Sequence, residues 1–339
     1  MPESESQSPE SPVRQEKEWP SFLQEARRWI GRWDPVAHPE GPSDWFSAAD
    51  SLPPFDPGGT AFDPVNAWWL AELCRIVYTP DAKEAPRPIY RDRPARHGFL
   101  EERTPFREIL NLHKTANHVA LYHLEDRPGQ VLCFRGTTRV RQWLMNLTAL
   151  PVSWDRLDSP ARETASKVYV HQGFQLLFER LWPLVEPHLQ PDRGPLVFTG
   201  HSLGGAFATM AAAASPVRPD LLVTFGSPRV GNPAFVDCLD GIPIHRIVNH
   251  HDIVSLVPAL DPKLGERDFR HAGDLAFLGK LPGTFHAVSG PENPESPEWE
   301  SPAPAQLLKA SLGQKDPPDW AIDHAPANYA AKLRALAEG

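Results

Sequence analysis

The chain has 339 residues, 41% hydrophobic and 23% charged, enough for one large globular domain with extensions. A net charge of −9 without any long Lys/Arg block argues against a nucleic-acid partner. Three cysteines (Cys74, Cys133, Cys238) are too few and too scattered for a disulfide framework or a zinc site, the first residues lack a secretory apolar core, and no apolar run is long enough for a transmembrane segment. The expected location is the cytoplasm, or outside the cell by a route that uses no Sec signal.

Residues 1–18 are rich in Ser, Pro and Glu and are expected to be a disordered tail. Residues 19–60 read as a helical extension: Ser21 and Gln24 have capping-box spacing, and Trp19, Phe22, Leu23, Ala26, Ile30 and Trp33 repeat at helical intervals. That aromatic face either packs on the main domain or lies at a lipid surface, giving the protein peripheral contact with lipid. The main domain is placed at 61–339, with a Pro-rich insert at about 282–320. Asp63 and Pro64 signal a helix start, and Ala67, Leu70, Ala71, Cys74, Val77 and Tyr78 form its buried stripe. Residues 79–106 show no period and read as loop.

Beyond that point strand and helix signals alternate. Val119–Leu124 and Gln130–Phe134 read as a strand pair, Gly173–His188 as a helix, and Leu196–Thr199 as a buried strand. A helix over Leu203–Ala214 follows, then β-rich runs at Leu221–Phe225 and Ile244–Val248. The alternation predicts an α/β fold with a mostly parallel central sheet covered by helices on both faces, and ligands at the carboxyl ends of its strands.

Gly200-His201-Ser202-Leu203-Gly204 fits G-x-S-x-G, led in by a strand and led out by an Ala-rich helix. A strand, a sharp turn and a helix would hold the Ser202 hydroxyl above the sheet edge as a nucleophile. The bland alternative is a glycine-rich turn whose serine merely caps the helix. In the nucleophile reading the flanking glycines, Gly200 and Gly204, leave room for the tight turn, and the amide of Leu203 is one donor for a developing oxyanion.

Further segments share this pattern: Val131–Trp143, Val170–Phe174, Gly226–Phe235, Asn249–Val254 and Asp323-His324. Together with the elbow they resemble the class 3 lipase family, in that family's order, over about residues 60–335. The resemblance implies an α/β-hydrolase fold, a serine acyl-enzyme mechanism and neither metal nor organic cofactor. Serine hydrolases on this fold run Ser, then Asp or Glu, then His along the chain. Asp252 follows a predicted strand and precedes Ile253-Val254, as the family's acid does; the alternative is a turn cap. His324 resembles the family's base, with His286 as the rival and His271 matching a structural segment. Thr137 matches the family's second oxyanion donor, through its amide and hydroxyl.

Arg139–Trp154 is apolar for a surface connection, and the family places its lid there, making Trp143, Leu144 and Leu147 candidate lid residues; a short buried helix is the alternative. The function expected is a serine carboxylic ester hydrolase, a lipase acting on triacylglycerol or phospholipid. A soluble short-chain or feruloyl-type esterase, an acyl transferase to an acceptor other than water, and an inactive lipase-like binding protein stand as alternatives.

Overall fold

A computed structural model describes residues 45–78, 96–114, 117–137, 150–155, 166–290 and 318–339. The N-terminal tail and its amphipathic helix, the candidate lid residues Trp143, Leu144 and Leu147, and most of the Pro-rich insert lie outside the described residues.

Helix α1 (Pro64–Ile76) begins where the sequence signalled it, because the Asp63 carboxylate accepts from the amides of Val65 and Asn66. Its stripe from Ala67 to Val77 is buried, and Tyr78 is half-buried at its end. The segment expected to be loop instead contains α2 (Arg96–Arg103), and the unassigned β1 (Phe106–Lys114) follows it. A β-bulge between Glu108 and Leu110 shifts the register of β1 and scrambles the alternation that would have revealed it.

β2 (Asn117–Leu124) and β3 (Gln130–Phe134) form the expected antiparallel pair. β4 (Pro151–Ser153) and β5 (Tyr169–His171) make a separate two-stranded sheet, and α3 (Gln172–Val185) follows. Next come β6 (Leu196–His201), α4 (Leu203–Ala214), β7 (Leu221–Phe225), α5 (Pro233–Asp237) and β8 (Ile244–Asn249). β9 (Asp274–Leu278), β10 (Phe285–Val288), α6 (Asp319–His324) and α7 (Pro326–Ala337) complete the described chain.

The main sheet has the order β1-β2-β3-β6-β7-β8-β9-β10. Its centre, from β3 to β9, is parallel, and the two margins are antiparallel. Strand periodicity sorts the core. Leu132, Phe134, Phe198 and Leu222 face one cluster with α3 and α4, while Val131, Cys133, Val197 and Val223 face another with α1 and α7. This is an α/β-hydrolase fold with helices on both faces of the sheet.

Two expectations change here. Trp154, counted within the lid-like segment, is a core residue at 2% exposure against Phe178 and Phe235, so the apolar run includes one residue needed for packing. β10 occupies part of the span that its prolines made look irregular; as an edge strand it needs a ladder only with β9. All three cysteines are free and buried, in keeping with their apolar settings.

His171 joins β5 to α3 by capping the helix, its Nδ1 accepting from the Gly173 amide at 3.1 Å. An accepting nitrogen requires a neutral ring, and burial pushes its pKa down from 6.5 to about 4. Below pH 6.5 the unfolded chain takes up this proton and the folded chain does not, so stability falls with pH until about pH 4. His171→Asn keeps a capping side chain and removes the titration. Urea unfolding across that window should show a stability slope shallower by about one proton in the variant.

Candidate active site

Ser202 stands between β6 and α4 with φ 59° and ψ −129°, outside the extended region usual for an N-cap. Its side chain makes no capping hydrogen bond, so the bland reading of a serine cap does not hold. The turn is feasible because three backbones approach closely. A Cβ on Gly200 would lie 2.3 Å from the Gly204 carbonyl oxygen, and one on Gly204 would lie 2.1 Å from that of Phe134. The Ser202 amide donates to the Phe225 carbonyl at 2.9 Å, anchoring the elbow to β7.

Asp252 follows β8 and caps a 3-10 turn, its Oδ1 accepting from the Val254 amide at 2.9 Å. His324 ends α6 and points Nδ1 at both Asp252 oxygens, at 2.9 and 2.8 Å. An ionised carboxylate only accepts, so Nδ1 carries the proton and Nε2 presents a lone pair. Tyr329, on α7, donates its hydroxyl to Asp252 Oδ2 at 2.6 Å while accepting from the Asn249 amide at 3.0 Å. Burial, then the Asp252 charge, pushes the Tyr329 pKa well up, so it remains a donor. Ser202 Oγ and His324 Nε2 are both buried, and neither has a hydrogen-bond partner among the described residues.

His201 links the two halves. Its Nε2–H donates to the His324 carbonyl at 2.7 Å, its ring lies 4.6 Å from the His324 ring, and its Nδ1 accepts from the Tyr78 hydroxyl at 2.8 Å. The elbow residue before the serine therefore holds the backbone of the histidine. Thr137 is buried one residue after Gly136, where a Cβ would lie 2.9 Å from Ser202 Cβ and 2.6 Å from the His201 carbonyl oxygen. Leu203 is the first residue of α4, so its amide has no acceptor within the helix.

The competing histidines are placed elsewhere. His286 is exposed on edge strand β10 opposite Phe277. His271 is buried and donates Nε2–H to the Ser255 carbonyl at 2.7 Å, with its pKa driven well down, first by burial. It buttresses the acid loop, since the Ser255 hydroxyl donates to the Asp252 carbonyl at 2.9 Å.

Residues 131–261 match the family model of lipase (class 3). That matched part of the chain is similar to the class 3 lipase family. The chain is 34% identical over 161 residues to a lipase of Rhizomucor miehei, covering 43% of this chain and 41% of the relative. It is 28% identical over 161 residues to the chloroplastic phospholipase A1-Igamma2 of Arabidopsis thaliana, covering 38% and 30%. The chain thus spans less than half the length of these curated relatives. A crystal structure of a lipase from Rhizopus microsporus var. chinensis aligns at 25% identity and TM-score 0.47, over 57% of this chain and 69% of that one. The class 3 lipase match takes in Thr137, Ser202 and Asp252 and stops before His324. The place of His324 therefore rests on its hydrogen bonds to Asp252.

Three contributors were not singled out as site residues in the sequence. Tyr78 read as the end of an apolar stripe, and Tyr329 lies five residues past His324. Gly226 was one letter of a family block. Only its setting shows its use: at φ 52°, a Cβ there would lie 2.3 Å from Asp252 Oδ2 and 3.2 Å from His324 Nδ1. Gly226→Ala should therefore displace the acid–base pair and cost about 1–3 kcal/mol. Gly241→Ala controls for backbone strain, since φ there is 78° but the nearest contact is 3.5 Å. Urea midpoints and fluorophosphonate labelling should show both variants destabilised, with labelling lost only in Gly226→Ala.

Proposed function

We propose that this chain is a serine carboxylic ester hydrolase that acts on acyl lipids. The observation that carries the reading is a pair of buried atoms without a hydrogen-bond partner among the described residues, Ser202 Oγ and His324 Nε2, with the opposite nitrogen of His324 on Asp252. A hydroxyl and a lone pair left unmade in a buried site are costly unless a substrate engages them.

In this reading Ser202 Oγ attacks the ester carbonyl while His324 Nε2 takes its proton, and Asp252 holds the ring and stabilises the imidazolium. The amides of Leu203 and Thr137 and the Thr137 hydroxyl receive the oxyanion, aided by the N-terminus of α4. His324 returns the proton to the leaving alcohol, and water then cleaves the acyl-serine by the same steps. Tyr329 acts through Asp252 and is a positioning residue.

The names of the relatives, a lipase and a phospholipase A1, support acyl lipids as the substrate class. Ser202 is 0% and His324 2% exposed, so an acyl chain needs some covering element to move. The apolar residues Trp143, Leu144 and Leu147, soon after Thr137 in sequence, are the candidates for that element and for contact with a lipid surface.

Hydrolysis of esters with short to long acyl chains, below and above their micellar concentration, tests the reading. A sharp rise at micelle formation, abolished in Ser202→Ala, is expected. Preference for short soluble esters without that rise would instead make this a soluble esterase without a working lid. No hydrolysis and no fluorophosphonate labelling would overturn the enzyme reading. Tyr329→Phe should lower kcat by about tenfold, equivalent to about 1.4 kcal/mol, with little change in KM.

A further inference from the structure

Three side chains outside the triad converge beside it. His250, His251 and Asp323 each offer one metal-ligating atom, and these atoms all lie within 4.8 Å of one another. His250 Nδ1 and Asp323 Oδ2 are 3.1 Å apart. Neighbouring ligands around a tetrahedral zinc ion are separated by roughly 3.3 Å, given Zn–N and Zn–O lengths near 2.0–2.2 Å. Two of the three donors therefore already have a ligand spacing.

The backbone arranges this cluster in advance. The His251 amide donates to Asp323 Oδ2 at 3.1 Å, and Asn249 Nδ2 donates to the Asp323 carbonyl at 2.8 Å. The His250 and His251 rings lie 3.7 Å apart by their centroids. Both histidines are half-buried, so solvent can complete a coordination shell, while Asp323 is buried. Two cations are near: Lys332, 4.0 Å from the other oxygen, Oδ1, and Lys280, whose charge acts on His251. The Lys332 ammonium donates to Asn249 Oδ1 at 2.6 Å and to the Gly279 carbonyl at 2.7 Å.

We propose that His250, His251 and Asp323 bind one divalent transition-metal ion of borderline softness, such as Zn2+, which ties the acid loop to the helix that ends in His324. Two imidazoles and a carboxylate, with water completing the shell, suit Zn2+, Cu2+ or Ni2+ and are poor for Mg2+ or Ca2+. On binding, the ion takes the place of the His250 Nδ1 proton, which moves to Nε2 or to solvent. His251 immediately precedes Asp252 and Asp323 immediately precedes His324. The bound ion is thus a cross-link between the two segments that carry the acid and the base. It adds stability there and takes no part in acyl transfer, so the inference does not depend on the proposed esterase activity.

The test uses the full chain, freed of metal by a chelator and then titrated calorimetrically with Zn2+, with thermal unfolding followed in parallel. One equivalent should bind and raise Tm by a few degrees, while Mg2+ and Ca2+ do neither. His250→Gln and His251→Gln should each weaken binding roughly tenfold or more, because even outer-shell partners of a metal contribute that much. His324→Ala should retain the site. Absence of binding, or unchanged affinity in both glutamine variants, overturns the proposal. So does binding that His324→Ala abolishes and His251→Gln leaves intact, which would put the ion on the triad histidine.

Discussion

A serine with left-handed backbone geometry at the end of β6 is the constraint around which the site is arranged. α4 starts so close to β3 and β6 that no side chain fits at Gly200 or Gly204. That closeness turns the Ser202 hydroxyl away from the capping role its position would normally give it. It also brings the end of β3, through Gly136 and into Thr137, against the elbow. With a longer turn the serine could cap α4 like any other, and both the unspent hydroxyl and the donors around it would be lost.

The Asp252–His324 pair is fixed from several directions at once. The Asp252 carboxylate accepts from the Val254 amide, the Tyr329 hydroxyl and His324 Nδ1, which come from the acid's own turn, from α7 and from α6. These bonds satisfy the buried carboxylate oxygens from within the protein. Gly226 supplies the space for this convergence, and His201 ties the His324 carbonyl to the elbow, with Tyr78 of the α1 end behind it. The serine and the histidine, far apart in sequence, are thereby held in one frame.

This arrangement explains why the family match and the geometry divide the site between them. The matched residues 131–261 run from β3 through the turn after Asp252 and take in four of the five parallel strands of the main sheet, β3, β6, β7 and β8. His324 comes after two further strands and a long Pro-rich stretch, whose length the sheet does not constrain. Its assignment depends on where α6 and α7 pack. α7 lies against α1, with Tyr329 and Leu333 in the same cluster as Leu70 and Cys74.

The sequence by itself determined the parallel α/β architecture, the elbow and the order of the candidate nucleophile, acid and base. Each of these leaves a local trace: apolar strand runs, glycines where backbones touch, and an Asp after a strand. β1 left none, because a bulge broke its alternation, and Trp154 misled, because a core tryptophan and an apolar flap residue look alike in a string of letters. The pairing of His324 rather than His286 with Asp252, the contacts from Tyr329 and Tyr78, the need for glycine at 226 and the meeting of His250 and His251 with Asp323 were decided only by tertiary structure. Apart from the approach of Gly226 to Asp252, these are contacts between residues about 70 to 120 positions apart, and their geometry depends on how the helices close over the sheet rather than on any spacing along the chain.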